Sequence, residues 1–195
     1  MRLSLIFAAA VLLASTRLAA QAPAGSAPFS CADTTRRALG FLAGEYDVTA
    51  VYRAGVAAWD STTAQLSITA ELGGCVLGEH FRGSRYGAPY EYLAHWSAHG
   101  GPTAPIQRTF VHSQHGILGL SAGRTVGDSL VLEDSAFVRQ RWVYQRLVLW
   151  REAGAAGNLR SEGRRSEDGR ASWFLTQRSR YLRRLEVPAE QGRAP

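Results

Sequence analysis

A period of two constrains this chain more than any other feature. Ala64, Leu66, Ile68, Ala70 and Leu72 alternate with Gln65, Ser67, Thr69 and Glu71, the pattern of a strand with one face buried and one wet. The period recurs. Tyr46, Val48, Ala50 and Tyr52 form an earlier run, and Cys75–Arg82 returns after the turn residues Gly73 and Gly74. Further strands are expected over Pro89–Ser97, Ile106–His112, Gly116–Ala122 and Ser129–Ser135. Arg139–Arg151 reads as one long strand or two with a bend. Leu159–Ser166 and Ser172–Arg184 make a hairpin around Asp168-Gly169, a strong turn signal. About ten short strands at regular spacing, with no helical interludes, predict an all-β fold. An antiparallel up-and-down meander closed into a barrel has no exposed edges.

Only Ser30–Leu42 suits a helix, with Ser30 or Asp33 as cap and Ala38, Leu39, Phe41 and Leu42 as a short apolar stripe. The N-terminus has another character. Met1-Arg2 precedes the apolar run Leu3–Ala14, and small residues follow. Residues 1–22 therefore read as a signal peptide. The run is too short for the ~20 residues of a membrane span, so an exported, non-spanning protein is expected, periplasmic or extracellular. Residues 23–28 read as a linker, 29–186 as the barrel domain and 187–195 as a disordered tail. In an oxidising compartment Cys31 and Cys75 are expected to form a disulfide.

All 22 basic residues are arginine, and they are unevenly placed. Residues 139–195 hold 13 Arg against 6 acids. Such strands could dock an anionic surface partner, although alternate arginines also suit a solvated strand face. Nucleic acid is not an expected partner, since no basic motif interleaved with aromatics is present.

Four segments carry a resemblance. Phe41–Val48 (FLAGEYDV), Leu72–Phe81 (LGGCVLGEHF), Ser166–Trp173 (SEDGRASW) and Arg180–Arg184 (RYLRR) are similar to the ordered motifs of a domain-of-unknown-function family of short secreted bacterial lipocalin-like (calycin) barrels. The resemblance spans nearly the whole domain. It implies the barrel fold and no settled activity. Tyr46 stands where the family usually has Trp, and Arg170 where a second hairpin glycine is usual. In such barrels the first-strand Trp stacks under an Arg from the last strand. The resemblance implies that Tyr46 with Arg180 or Arg183 does the same, more weakly.

Glu79 shares a strand face with Cys75, Leu77 and Phe81, so it is expected to point inward, where it needs an Arg partner or hydrogen bonds. The five histidines form no zinc pattern, and no glycine-rich stretch has the setting of a phosphate loop. No metal or cofactor is expected. No nucleophile-elbow motif surrounds a serine, so no catalytic residue is assigned. The main expectation is a barrel that binds a small apolar or amphipathic ligand in its interior. Glu79, Trp96, Arg141, Trp142 and Trp173 are its expected lining or polar anchor. Two other readings stay open: a hydrolase or isomerase using Glu79 with His80 or His95, and a structural barrel docking anionic surface partners.

Overall fold

A computed structural model of the chain describes residues 30–98, 105–114, 116 and 118–184. The expected signal peptide, linker and tail lie outside the described residues. The strands are β1 (Gly44–Arg53), β2 (Trp59–Glu71), β3 (Val76–Arg85), β4 (Ala88–Ala98), β5 (Ile106–His112), β6 (Leu118–Val126), β7 (Ser129–Val138), β8 (Arg141–Arg151), β9 (Leu159–Ser166) and β10 (Phe174–Arg183). Each pairs antiparallel with the next, and β10 pairs with β1 to close the barrel. Closure satisfies both edges that an open ten-stranded sheet would expose.

Alternation decides which side chains face inward. On β1, Tyr46, Val48, Ala50 and Tyr52 are buried, and on β2 Thr62, Ala64, Leu66 and Ile68 are. The stretch Arg139–Arg151, expected as one long strand or two with a bend, is a single strand that begins two residues later, at Arg141. Arg139 and Gln140, with φ of 49° and 66°, form the two-residue turn between β7 and β8, where Val138 pairs with Arg141. Two left-handed residues give the twist a tight hairpin needs, and glycine or asparagine usually supplies it. Neither is present here, so the turn left no compositional mark.

Helix α1 (Cys31–Leu39) covers one end of the barrel, and a 3₁₀ turn at Gly40–Leu42 leads into β1. The Ser30 hydroxyl accepts a hydrogen bond from the Asp33 amide as N-cap. Leu39 and Leu42 are fully buried, each worth about 2 kcal/mol of apolar transfer. The Cys31–Cys75 disulfide forms as expected and ties the helix to the start of β3. Beside it the Thr35 hydroxyl donates to the Cys75 carbonyl at 2.9 Å.

At this end the Tyr46 hydroxyl donates to the Leu42 carbonyl at 2.9 Å, and its ring meets Tyr181 edge-on at 6.3 Å. Arg183, opposite Tyr46 in the closing ladder, donates to the Ala43 carbonyl. Its Nε would lie 3.0 Å from a Cβ on Gly44, whose φ is +150°. Glycine there lets the guanidinium lie against the backbone. Arg180 pairs instead with Glu152. The apolar core fills this helix-covered end, with Leu77, Ile106, Leu130, Leu149 and Leu159 all buried. The opposite end is where the interior opens.

Candidate functional site: a cavity above a buried carboxylate

A cavity of about 380 Å³ occupies the barrel interior. Its polar centre is Glu79 on β3, only 5% exposed. One carboxylate oxygen accepts the Tyr92 hydroxyl at 2.6 Å. The other accepts the Trp96 indole N–H at 2.6 Å and the Arg108 Nε at 2.9 Å. Register brings these donors together. Tyr92 and Trp96 lie on the inward face of β4, and β5 places Arg108 directly opposite Trp96.

The Arg108 guanidinium is further held among ring faces, 5.1 Å from Trp96, 5.1 Å from Phe110 and 5.3 Å from Tyr92. Burial works against its charge, and the Glu79 carboxylate more than offsets this, holding Arg108 above its ordinary value. Burial, and then the Glu79 charge, also push the Tyr92 hydroxyl well up, so it is a fixed hydrogen-bond donor. A buried pair of this kind braces the barrel and is costly to break from one side.

Above this floor the walls are aromatic. Phe81 stacks on Tyr92 with centroids 4.8 Å apart and meets Tyr90 edge-on at 5.9 Å. Tyr52, Arg85, His112 and Asp134 complete the upper lining. Asp134 follows Leu130 and Leu132 on the inward face of β7. Burial raises its carboxyl from 3.8 to about 6, against the opposing charge of Arg108. The cavity therefore combines tyrosine rings, guanidinium groups and a carboxyl poised near neutrality.

The residues expected from sequence separate into two groups. Glu79 and Trp96 sit at the cavity floor. Arg141 is 53% exposed and pairs with Glu167 at 2.5 Å. Trp142, 54% exposed, leans on Phe137 with centroids 5.5 Å apart. Trp173 lies under the Arg146 guanidinium at 4.1 Å, and Arg146 is tied to Glu133. These three do not line the cavity. On β8 the inward positions belong to Val143 and Leu149, opposite Ala136 and Leu130 of β7, so the tryptophan face of that strand turns outward. Sequence reasoning missed Arg85, Arg108 and Asp134. Each shares the parity of buried apolar neighbours, and a charge on that parity was the available signal.

His80 pairs with Glu91, and His95 lies 3.5 Å from Glu71, both away from Glu79. Glu79 has Tyr92, Trp96 and Arg108 as hydrogen-bond partners, so acid–base chemistry by Glu79 with His80 or His95 lacks its geometry. The basic C-terminal strands are laced with acids. Arg160 and Arg180 share Glu152, Arg164 and Arg178 share Glu162, and Arg184 meets Asp47. Among the described residues no cluster of His, Cys, Asp and Glu could hold a metal ion, and no helix is long and apolar enough to cross a membrane.

No protein-family model matches the chain, and no curated protein matches it.

Proposed function

We propose that this protein is an exported, lipocalin-like barrel that binds one small amphipathic ligand in its interior. The carrying observation is the cavity of about 380 Å³, walled by Tyr52, Phe81, Tyr90 and Tyr92 above the Glu79–Arg108 pair. That volume lies at the lower end of small-molecule sites, which combine apolar walls with a few fixed polar groups. Tyrosine rings supply apolar area and a hydroxyl at the edge, which favours an amphipathic ligand over a wholly apolar one. The motif resemblance and the leader-like first 22 residues support the lipocalin-like, exported part of this reading.

Native mass spectrometry of the purified protein, with displacement of a fluorescent lipid analogue, tests it. One ligand per chain, displaced in competition, is the expected result. Absence of binding across amphipathic probes of six to twelve carbons would refute it.

A further inference from the structure

We propose that Arg85 is the anion receptor of this cavity and that the ligand is a small carboxylate with an apolar body. The inference rests on the interior-binding reading above and specifies its chemistry.

Six arginines contribute to the cavity lining. Five are answered within the protein. Arg108 meets Glu79, Arg165 meets Glu167 at 2.7 Å, Arg164 meets Glu162 at 2.8 Å and Arg146 meets Glu133 at 2.6 Å. Arg53 donates to the carbonyls of Gly55 and Val56. Arg85 is the exception. Its Nε is buried without a hydrogen-bond partner, as is that of Arg165, but Arg165 has Glu167 beside it and Arg85 has no acid. Among the described residues no carboxylate pairs with it, and it hydrogen-bonds to the Tyr90 hydroxyl.

Local structure holds this group in place. Arg85 ends β3 on the parity of Leu77, Glu79 and Phe81, and pairs with Ala88 across the turn Tyr86-Gly87. Both turn residues are left-handed, with φ of 53° and 73°. The guanidinium carbon lies 4.8 Å from the Tyr52 ring centroid, 5.2 Å from Tyr86 and 5.5 Å from Tyr90. Ring faces satisfy the flat sides of a guanidinium by cation–π attraction. Its edge, with an unpartnered Nε–H beside the hydrogen bond to Tyr90, is a fork that no carboxylate of the described residues fills. That fork matches the two oxygens of a carboxylate. A buried N–H with no acceptor is costly, and a ligand oxygen would remove that cost. The acid Asp134 stands on β7, four strands away around the barrel, where its near-neutral carboxyl can meet a hydroxyl or other polar atom of the ligand body.

The test is isothermal titration of the disulfide-intact protein with octanoate, octanol and octylammonium. Octanoate is expected to bind at least ~10-fold more tightly than octanol, about 1.4 kcal/mol, and octylammonium more weakly than either. Arg85→Gln is expected to lower octanoate affinity by ~10-fold or more and octanol affinity by much less, so that the preference between the two head groups collapses. Arg85→Lys, which keeps the charge but not the fork, is expected to fall between. Octanol binding as tightly as octanoate would overturn the carboxylate receptor and leave the interior-binding reading standing. An R85Q protein that still prefers octanoate would overturn the assignment to Arg85. If none of the three probes binds, both readings fall. Should R85Q not fold, the ranking of head groups on the native protein and on R85K decides the matter.

Discussion

Replacing Glu79 by Gln tests whether the buried carboxylate holds the barrel interior together. The substitution keeps the shape and removes the charge. Glu79 now accepts three hydrogen bonds, all from donors. A glutamine amide has one oxygen, so its NH₂ would face at least one donor. Arg108 is buried to 12% side-chain exposure and would lose its only ion-pair partner among the described residues. Removing one partner of a buried pair costs about 3–5 kcal/mol, because the remaining charge stays desolvated. Ring contacts to Trp96, Tyr92 and Phe110 offset part of that, which places the expected loss near ~3 kcal/mol. Urea unfolding followed by circular dichroism, with the disulfide intact, reads it directly. The cycle is completed by Arg108→Met and the double variant. Replacing both charges should cost much less than the two single losses summed, with a coupling above ~1.5 kcal/mol. A loss below ~1 kcal/mol for E79Q, or additive single losses, would refute the view that the pair braces the interior.

Asp134 gives a pH signature. Burial raises its pKa in the folded chain from 3.8 to about 6, so the native state holds more protons than the unfolded chain between those values. Stability should therefore fall as pH rises through that window and level off above it. Asp134→Asn should flatten this contribution and stabilise the protein at pH 7 by ~1 kcal/mol, a figure discounted for solvent access to the cavity; an unchanged pH profile would count against it. Cys31→Ser with Cys75→Ser opens a loop spanning a sequence separation of 44. The chain-entropy estimate of its cost is about 4 kcal/mol, read as a lower urea midpoint that reductant no longer shifts. Gly123→Ala would place a Cβ 1.8 Å from the Val131 carbonyl oxygen on β7. Backbone cannot yield as a side chain can, so a loss of roughly 3 kcal/mol is expected, seen as a melting temperature lower by roughly 6–12 °C. A melting temperature within 2 °C of the parent would sink that estimate.

The barrel was legible because most strands set apolar against polar residues with little ambiguity. Ala64, Leu66 and Ile68 face the interior as the alternation requires, and the two cysteines pair. Glu79 was legible for the same reason: a carboxylate on the parity of Leu77 and Phe81 must turn inward and find donors. Strand β8 was not legible. Its sequence RWVYQRLVLW carries large apolar residues on both parities, so hydrophobicity alone could not choose a face. Pairing with β7 made the choice, since Leu130 and Leu132 bury themselves and bring Leu149 and Val143 inward with them. Trp142 was thereby turned out to solvent. Arg108 and Asp134 escaped notice through the opposite bias. Arginine and aspartate in a strand read as solvent-facing by default, although Arg108 sits in step with Ile106 and Phe110.

The closing ladder between β1 and β10 also governs when the fold can form. Asp47 meets Arg184 across 137 positions of chain, and the whole Tyr46–Tyr52 ladder spans comparable distances. Hairpins β1–β2 through β9–β10 can assemble from neighbours, but the seam waits for the last strand to arrive. Contacts of such long range make folding slow, on a scale of milliseconds to seconds. Until the seam closes, β1 and β10 present unpaired edges to other chains. A ribosome-bound or truncated chain that stops short of Phe174 is therefore an aggregation-prone open sheet. The cavity, which needs β10 to supply Gln177 and Tyr181 to its wall, exists only after β10 has docked.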